Sequence, residues 1–368
     1  MHTTRNDACP WGDGHIPSLD GWRAVSIILV LGSHSVRSVG FPDSWKSAAT
    51  FLFDGSLGVR CFFIISGFLI TTLLLRENWK TGRIHLSSFY IIRSLRIFPV
   101  YFTFVGFIAL LEYFSIFDQP NQHWWKLLTF TSNYSTCGNW PTGHTWSLAC
   151  EEQFYLLWPS LMTTLGLFVW KPAVQWLLLL PLILAPASRV FTYLDTFPDN
   201  PLFNLFSLLN YIDSLAIGCL LAYLHPALQR WFASPDGVWV LLLAVFAIIT
   251  PHILGYLLIL APFTISFSPT SQALGLAVLI SWTMQKPQSH VGQFLNLRPI
   301  VWLGALSYSI YIWQQFFFSQ PAMFGWSSPA LLRFPFCFIG VLASATCSYY
   351  FLEKPLLQLR KRLSNVCS

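Results

Sequence analysis

A histidine, two arginines and three carboxylates stand inside otherwise apolar runs of this sequence: His34, Arg60, Arg189, Glu151, Glu152 and Asp213. An ionisable group among aliphatic side chains is expensive to bury, so these residues are the first candidates for function. An imidazole beside a carboxylate can take a proton from a hydroxyl, because the carboxylate orients the ring and stabilises its protonated form. His34 is the candidate base and Glu151 or Glu152 the candidate orienting group. Arg60 is a guanidinium able to polarise a carbonyl. Adjacent residues on a helix point about 100° apart, so at most one of the glutamates faces His34. A structural reading stands beside each role: His34 can bond a neighbouring helix, and Arg60 and the glutamates can form buried ion pairs that fix packing. Arg189 and Asp213 are better read as paired with neighbouring spans.

A second, mostly basic cluster contains Asp20, Arg23, Arg93 and Arg96. Arg93 and Arg96 are three apart and share a helix face. Paired guanidiniums suit phosphate, which they grip with forked hydrogen bonds. The same pattern also serves plain basic anchoring at a cytoplasmic boundary.

Composition sets the elements that must carry these residues. Of 368 residues, 54% are hydrophobic and 10% charged, whereas soluble domains carry roughly 25% charge. So few charges cannot cover a water-soluble protein of this size, which excludes a soluble enzyme, a disordered chain and a disulfide-stapled secreted domain. The net charge of +6 then speaks of orientation in a membrane, not of nucleic acid. Five of the eight cysteines, Cys61, Cys150, Cys219, Cys337 and Cys347, lie in apolar runs and act as small hydrophobes. No bridge between Cys9 and Cys137 is expected, because the topology puts them on opposite sides.

Runs long enough to cross ~30 Å of hydrocarbon fall at 22–40, 53–75, 97–117, 145–169, 173–193, 202–224, 237–254, 268–285, 300–318 and 330–352. Residues 255–267 extend the seventh run, form a re-entrant piece or make an extra crossing. Residues 120–144, with Trp124, Trp125 and Trp140, read as an interfacial loop with a short helix. No cleavable signal peptide is evident. With the N-terminus inside, fifteen of the 21 basic residues fall on the cytoplasmic side. Arg37, Lys46 and Lys126 fall outside, and Arg60, Arg189 and Arg333 within spans. The prediction is an all-α transmembrane bundle of about ten spans, one domain over 1–368, with both termini cytoplasmic and a short basic tail over 354–368. At 1.5 Å per residue, His34 lies roughly 18 Å from the inner face, and Arg60 and Glu151 roughly 10 and 9 Å from the outer one. The three are thus expected at one depth, in the outer half of the bundle.

The motifs resemble those of the acyltransferase type 3 family of integral membrane acyltransferases. IPSLDGWRAVSIILVLGSHS matches its first span, where a basic residue, ten residues and a histidine recur; here these are Arg23 and His34. RCFFIISGFLIT, FYIIRSLRIFPVYF, HTWSLACEEQFYLLWP, LGALSYSIYIW and FLEKPL follow in the family's order over nearly the whole chain. The resemblance implies catalytic importance for Arg23 and His34, and functional importance for Arg93, Arg96, Glu151 and Glu152. It implies transfer of an acyl group, most often acetyl, from a cytoplasmic acyl-CoA to a hydroxyl of an extracytoplasmic or lipid-linked glycan or a related acceptor. It further implies a bacterial inner-membrane location, no metal and no nucleic-acid partner. The penultimate span departs from the pattern: the family commonly continues Tyr-Leu-Trp-His, and here Tyr311-Ile-Trp313 leads to Gln314 and Gln315. Gln314 can replace the hydrogen bonding of that histidine but not its acid–base capacity. The chain ends about 16 residues past the last run, so the esterase-like domain that some relatives append is not expected.

In this reading Arg23, Arg93 and Arg96 hold the phosphates of CoA. His34 deprotonates the acceptor or takes the acyl group itself, and Trp146, Tyr155 and Trp158 offer faces to a sugar or simply pack. Two rival classes are a transporter or flippase, which predicts inverted repeats that the sequence does not display, and a non-enzymatic membrane scaffold.

Overall fold

The computed structural model of the chain describes residues 9–12, 14, 16–116, 123–134, 140–195, 204–232, 237–257, 259–320 and 330–358. Arg5, Cys137 and the basic residues Arg360, Lys361 and Arg362 of the tail lie outside them. The helices, in order, are α1 (Leu19–Ser35), α2 (Asp43–Leu52), α3 (Gly55–Thr81), α4 (Leu86–Tyr113), α5 (Trp124–Leu128), α6 (Trp140–Gly143), α7 (Thr145–Thr164), α8 (Pro172–Leu179), α9 (Pro181–Tyr193), α10 (Ile212–Trp231), α11 (Gly237–Tyr256), α12 (Ala261–Gln285), α13 (His290–Leu295), α14 (Arg298–Phe317) and α15 (Cys337–Ser348). The described residues form no β-strand, only an isolated bridge between Val39 and Arg333. The expected all-α membrane bundle is what forms.

Among the described residues, six helical segments are long and apolar enough to cross a membrane. The other four expected runs also hold helices, but α1, α7 and α14 are shorter or more polar, and α15 has 12 residues extended by a π-helical turn at Tyr349–Glu353. Their polarity has a cause: these helices supply His34, Glu151, Glu152, Gln314 and Glu353, and they face other helices. By contrast α11 shows Trp239, Leu242, Leu243 and Phe246 on its exposed face, as a lipid-facing helix must.

Several boundaries differ from the sequence reading. Helix α4 starts at Leu86, so Arg93 and Arg96 stand on the helix proper. The run expected from 202 becomes a 3₁₀ turn at Leu208–Asn210 before α10, which places Asp213 in the first turn of α10. A carboxylate there faces the positive end of the helix dipole. The run expected from 330 starts as a helix only at Cys337; Pro335 disfavours helical geometry in the residue before it. Arg333 is therefore exposed beside Val39 and not within a span. Residues 255–267 make no crossing of their own, since α11 runs to Tyr256 and α12 begins at Ala261. Prolines stand at the first helical positions of α8, α9, α12 and α14, where a missing N–H removes no helical hydrogen bond.

Close backbone crossings bring the polar helices together. Helices α3 and α10 meet at Gly67 and Gly218, where a β-carbon on either would run into the carbonyl of Leu215 or Ile64 of its partner. Gly304 of α14 lies against the carbonyl of Asp20 in α1. Small residues at such points let helices approach where no water-driven force holds them. The start of α1 is pinned by polar contacts: the Ser18 N–H donates to Asn296 Oδ1 at 2.9 Å, and Trp22 Nε1 to Thr283 Oγ1 at 2.8 Å. These contacts fix the position of Arg23.

Candidate active site

Two cavities open between these helices, and the charged residues divide between them. The smaller, of about 70 Å³, is lined by Arg23, Arg93, Arg96, Ser66, Glu151, Tyr308 and Tyr311. A short relay crosses it: Tyr155 Oη donates to Ser66 Oγ at 2.9 Å, and Ser66 Oγ donates to Glu151 Oε1 at 2.7 Å. The Arg93 guanidinium lies 3.8 Å from the centre of the Tyr155 ring, and its Nε has no partner among the described residues. Arg23 NH1 reaches Asp20 at 3.4 Å. Glu353, at the end of the π-turn and 2% exposed, accepts from Ser309 Oγ at 3.1 Å and faces the arginine cluster. Three guanidiniums converging on one pocket can hold phosphate or pyrophosphate oxygens.

The larger cavity, of about 1270 Å³, is lined by His34, Arg37, Asp54, Arg60, Trp140, His144, Trp146, Arg189, Tyr211, His252, Gln272 and Gln315 among others. Tyr311 and Val59 line both cavities and form the partition between them. Tyr311 Oη is 2.5 Å from Ser147 Oγ and donates to the His144 carbonyl at 3.1 Å.

His34 occupies the last turn of α1, with Nδ1 2.8 Å from Gln314 Oε1. With the amide oxygen toward the ring, Nδ1 carries the proton and Nε2 keeps a free lone pair. Gln315, one residue on, accepts the backbone N–H of His144 at 2.7 Å. The two glutamines thus hold two histidines of one cavity, one by its ring and one by its backbone. Among the described residues both ring nitrogens of His144 are buried without partners, as is Trp140 Nε1. Trp140 is packed edge-on to His34, ring centres 5.5 Å apart, with the Arg37 guanidinium 4.8 Å from the centre of the Trp140 ring. Native interiors pair most buried polar atoms; among the described residues, the unpaired ones that line these cavities are on Arg60, Arg93, Trp140, His144 and Asn210.

The sequence-predicted residues therefore fall into two groups. His34 and Arg60 share the larger cavity. Arg23, Arg93, Arg96 and Glu151 share the smaller. Glu151 does not share a cavity with His34: it bonds Ser66 beside the arginines, and the group that meets the His34 ring is Gln314. Glu152 lines neither cavity, and its Oε1 is buried without a partner among the described residues. Arg189 and Asp213, each expected to pair with a neighbouring span, pair with each other at 2.6 Å. Gln153 ties α7 to the preceding turn through Phe130 O and Asn133 Oδ1, at 2.9 and 2.8 Å. Of the aromatic candidates, Trp146 lines the larger cavity, whereas Trp158 is core, 5% exposed, its Nε1 donating to Thr71. His144, Gln315 and the Asp54–His252 pair escaped the sequence reading. His144 had one signal, its place directly before the polar start of α7; Asp54 and His252 lie nearly two hundred residues apart, and nothing local links them.

An α-helical membrane bundle with a basic pocket and a histidine on facing sides of a tyrosine partition has the layout of a membrane acyltransferase. The family model for the acyltransferase domain matches residues 16–352, and the chain belongs to that family. It is 27% identical over 335 residues to the peptidoglycan O-acetyltransferase OatA of Listeria monocytogenes, which covers 81% of this chain and 49% of the relative. It is 29% identical over 327 residues to the O-acetyltransferase OatA of Staphylococcus aureus, covering 81% of this chain and 50% of the relative. The chain thus spans about half the length of these curated relatives. No solved structure matches it.

Proposed function

We propose that this protein is a multi-pass inner-membrane acyltransferase that moves an acyl group, acetyl by analogy with its relatives, from a cytoplasmic acyl-CoA to a hydroxyl of an extracytoplasmic or lipid-linked glycan. The observation that carries the reading is the placement of the arginine pocket and the histidine cavity on opposite sides of Tyr311 and Val59. Arg23, Arg93 and Arg96 would bind the donor phosphates, and the thioester arm would extend toward the partition. The acceptor enters the larger cavity, where Nε2 of His34 takes the proton of its hydroxyl. The hydroxyl oxygen forms a bond to the thioester carbonyl, the carbon–sulfur bond breaks, and the proton passes from the imidazolium to the departing thiolate. Glu151, through Ser66 and Tyr155, holds its place beside the arginines and balances part of their charge. A histidine held in one tautomer beside a large aromatic-lined cavity favours this chemistry over transport or scaffolding.

The test separates the two cavities. Purified His34→Ala is expected to lose acyl transfer by about 10²–10⁴-fold while still binding acyl-CoA, and Arg93→Ala/Arg96→Ala to lose acyl-CoA affinity. Undiminished transfer by His34→Ala would remove the general-base role. Unchanged donor affinity in the double variant, with the fold intact, would leave the arginines as membrane anchors.

A further inference from the structure

Arg60 lines the larger cavity and has no part in the transfer chemistry proposed above. Its side chain comes from the second turn of α3, is 9% exposed and lines the cavity. NH1 donates to Gln272 Oε1 at 3.0 Å, and Nε has no partner among the described residues. None of the ion pairs among the described residues involves Arg60. Asp54, the single carboxylate lining the cavity among those residues, accepts the Leu57 N–H at 3.0 Å and faces His252 Nδ1 at 3.5 Å; it lies within electrostatic reach of Arg60 but forms no ion-pair contact with it.

Arg189 shows how this fold treats a guanidinium that serves structure. It lines the same cavity, yet it bonds Asp213, the carbonyls of Asn210 and Ser266, and Thr270. Arg60 has one neutral acceptor where Arg189 has a full set. A buried guanidinium with no carboxylate bonded to it is costly to keep, and in a membrane protein such a group is a functional-site candidate. At the mouth, Arg37 adds a second cation. Trp140 and Trp146 line the same space, Trp140 with Arg37 over its ring and Trp146 stacked on Phe206, so the surroundings of Arg60 are aromatic as well as cationic.

We propose that the acceptor is an anionic saccharide whose carboxylate or phosphate pairs with Arg60 while its reacting hydroxyl reaches His34. The forked donors of Arg60 fit either oxyanion. This rests on the larger cavity being the acceptor side, and it moves Arg60 from the thioester, where the sequence placed it, to the acceptor.

The experiment is a binding titration on the full chain in lipid nanodiscs, read by quenching of tryptophan fluorescence. The probes are a neutral chitotetraose, a tetrasaccharide of the same backbone carrying carboxylates, and one carrying a phosphate monoester. A charged probe is expected to bind about tenfold or more tightly than the neutral one, the gain of a charge-assisted hydrogen bond. Arg60→Gln is expected to bring that ratio close to one, and Arg60→Lys to retain part of it. Which charged probe binds better identifies the anion. Equal affinity for neutral and charged probes in the wild-type protein overturns the proposal, and this arm needs no variant to fold. A preference that survives in Arg60→Gln overturns it as well. Charge-selective binding that Arg60→Gln removes, without transfer to any probe, upholds the anion site and counts against the catalytic reading alone.

Discussion

His34 is oriented by an amide where a carboxylate was expected. The difference is chemical. A carboxylate would orient the ring and also stabilise its positive charge; Gln314 orients the ring and leaves its charge unbalanced. In a cavity that already carries Arg37 and Arg60, a neutral orienting group favours a ring that begins the reaction uncharged, as a base must. If His34 is the base proposed above, Gln314 is a positioning residue. Gln314→Ala is expected to lower kcat by about tenfold while leaving KM for acyl-CoA within twofold, roughly, of its starting value. Gln314→His, the residue the family commonly carries there, is expected to restore most of the rate because an imidazole can also meet Nδ1. A fall in donor affinity with kcat intact would show that Gln314 acts through packing. The residue types of His34, Arg23, Arg93 and Arg96 were legible as chemistry because charge is rare in this chain. Their partners were not, because Gln314 lies 280 positions from His34 and Ser66 lies 85 from Glu151.

At the scale of elements, the site depends on where helices cross. Helix α3 carries Arg60 and Ser66, facing one cavity each, and its position is set by the paired glycines at the crossing with α10. A side chain at Gly218 meets the backbone carbonyl of Ile64, which cannot move aside as a flexible side chain would. Gly218→Ala is expected to destabilise by about 1–3 kcal/mol, seen as a lower unfolding temperature in detergent and less folded protein in membranes. Gly106→Ala on α4, where a β-carbon meets nothing within 4 Å, is the matched control. Equal stability of the two variants would show that the α3–α10 crossing is loose. Helix existence was legible in the apolar runs, whereas several ends were not. The sequence placed Asp213 mid-span and Arg333 within a span, because hydropathy averages over many residues and passes over a 3₁₀ turn or a single proline.

For the whole molecule, scarcity of charge is both the class signal and the orientation signal. The positive-inside distribution predicts ten crossings with both ends cytoplasmic. Lys46 in α2 and Lys80 at the end of α3 then lie on opposite sides of the membrane. Both positions are exposed, so they can report sidedness. In a chain freed of its accessible cysteines, cysteine at position 46 is expected to react with an impermeant thiol reagent in intact cells. Cysteine at position 80 is expected to react only after permeabilisation. The reverse pattern would invert the topology and put the arginine pocket out of reach of cytoplasmic acyl-CoA.

By itself the sequence determined the class of the protein, because 10% charge leaves no water-soluble surface to build. It also determined a short list of candidate residues, because a charge retained in an apolar run requires a reason. Only the tertiary structure decided how that list divides. The expected single cluster of His34, Arg60 and Glu151 became two cavities, since depth along a helix is one coordinate and rotation about its axis is another. Rotation is set by crossings such as Gly67–Gly218 and Gly304–Asp20, contacts between residues remote in the chain. That is why Glu151 faces the arginines, Gln314 faces His34, and Arg60 keeps a guanidinium open to the larger cavity.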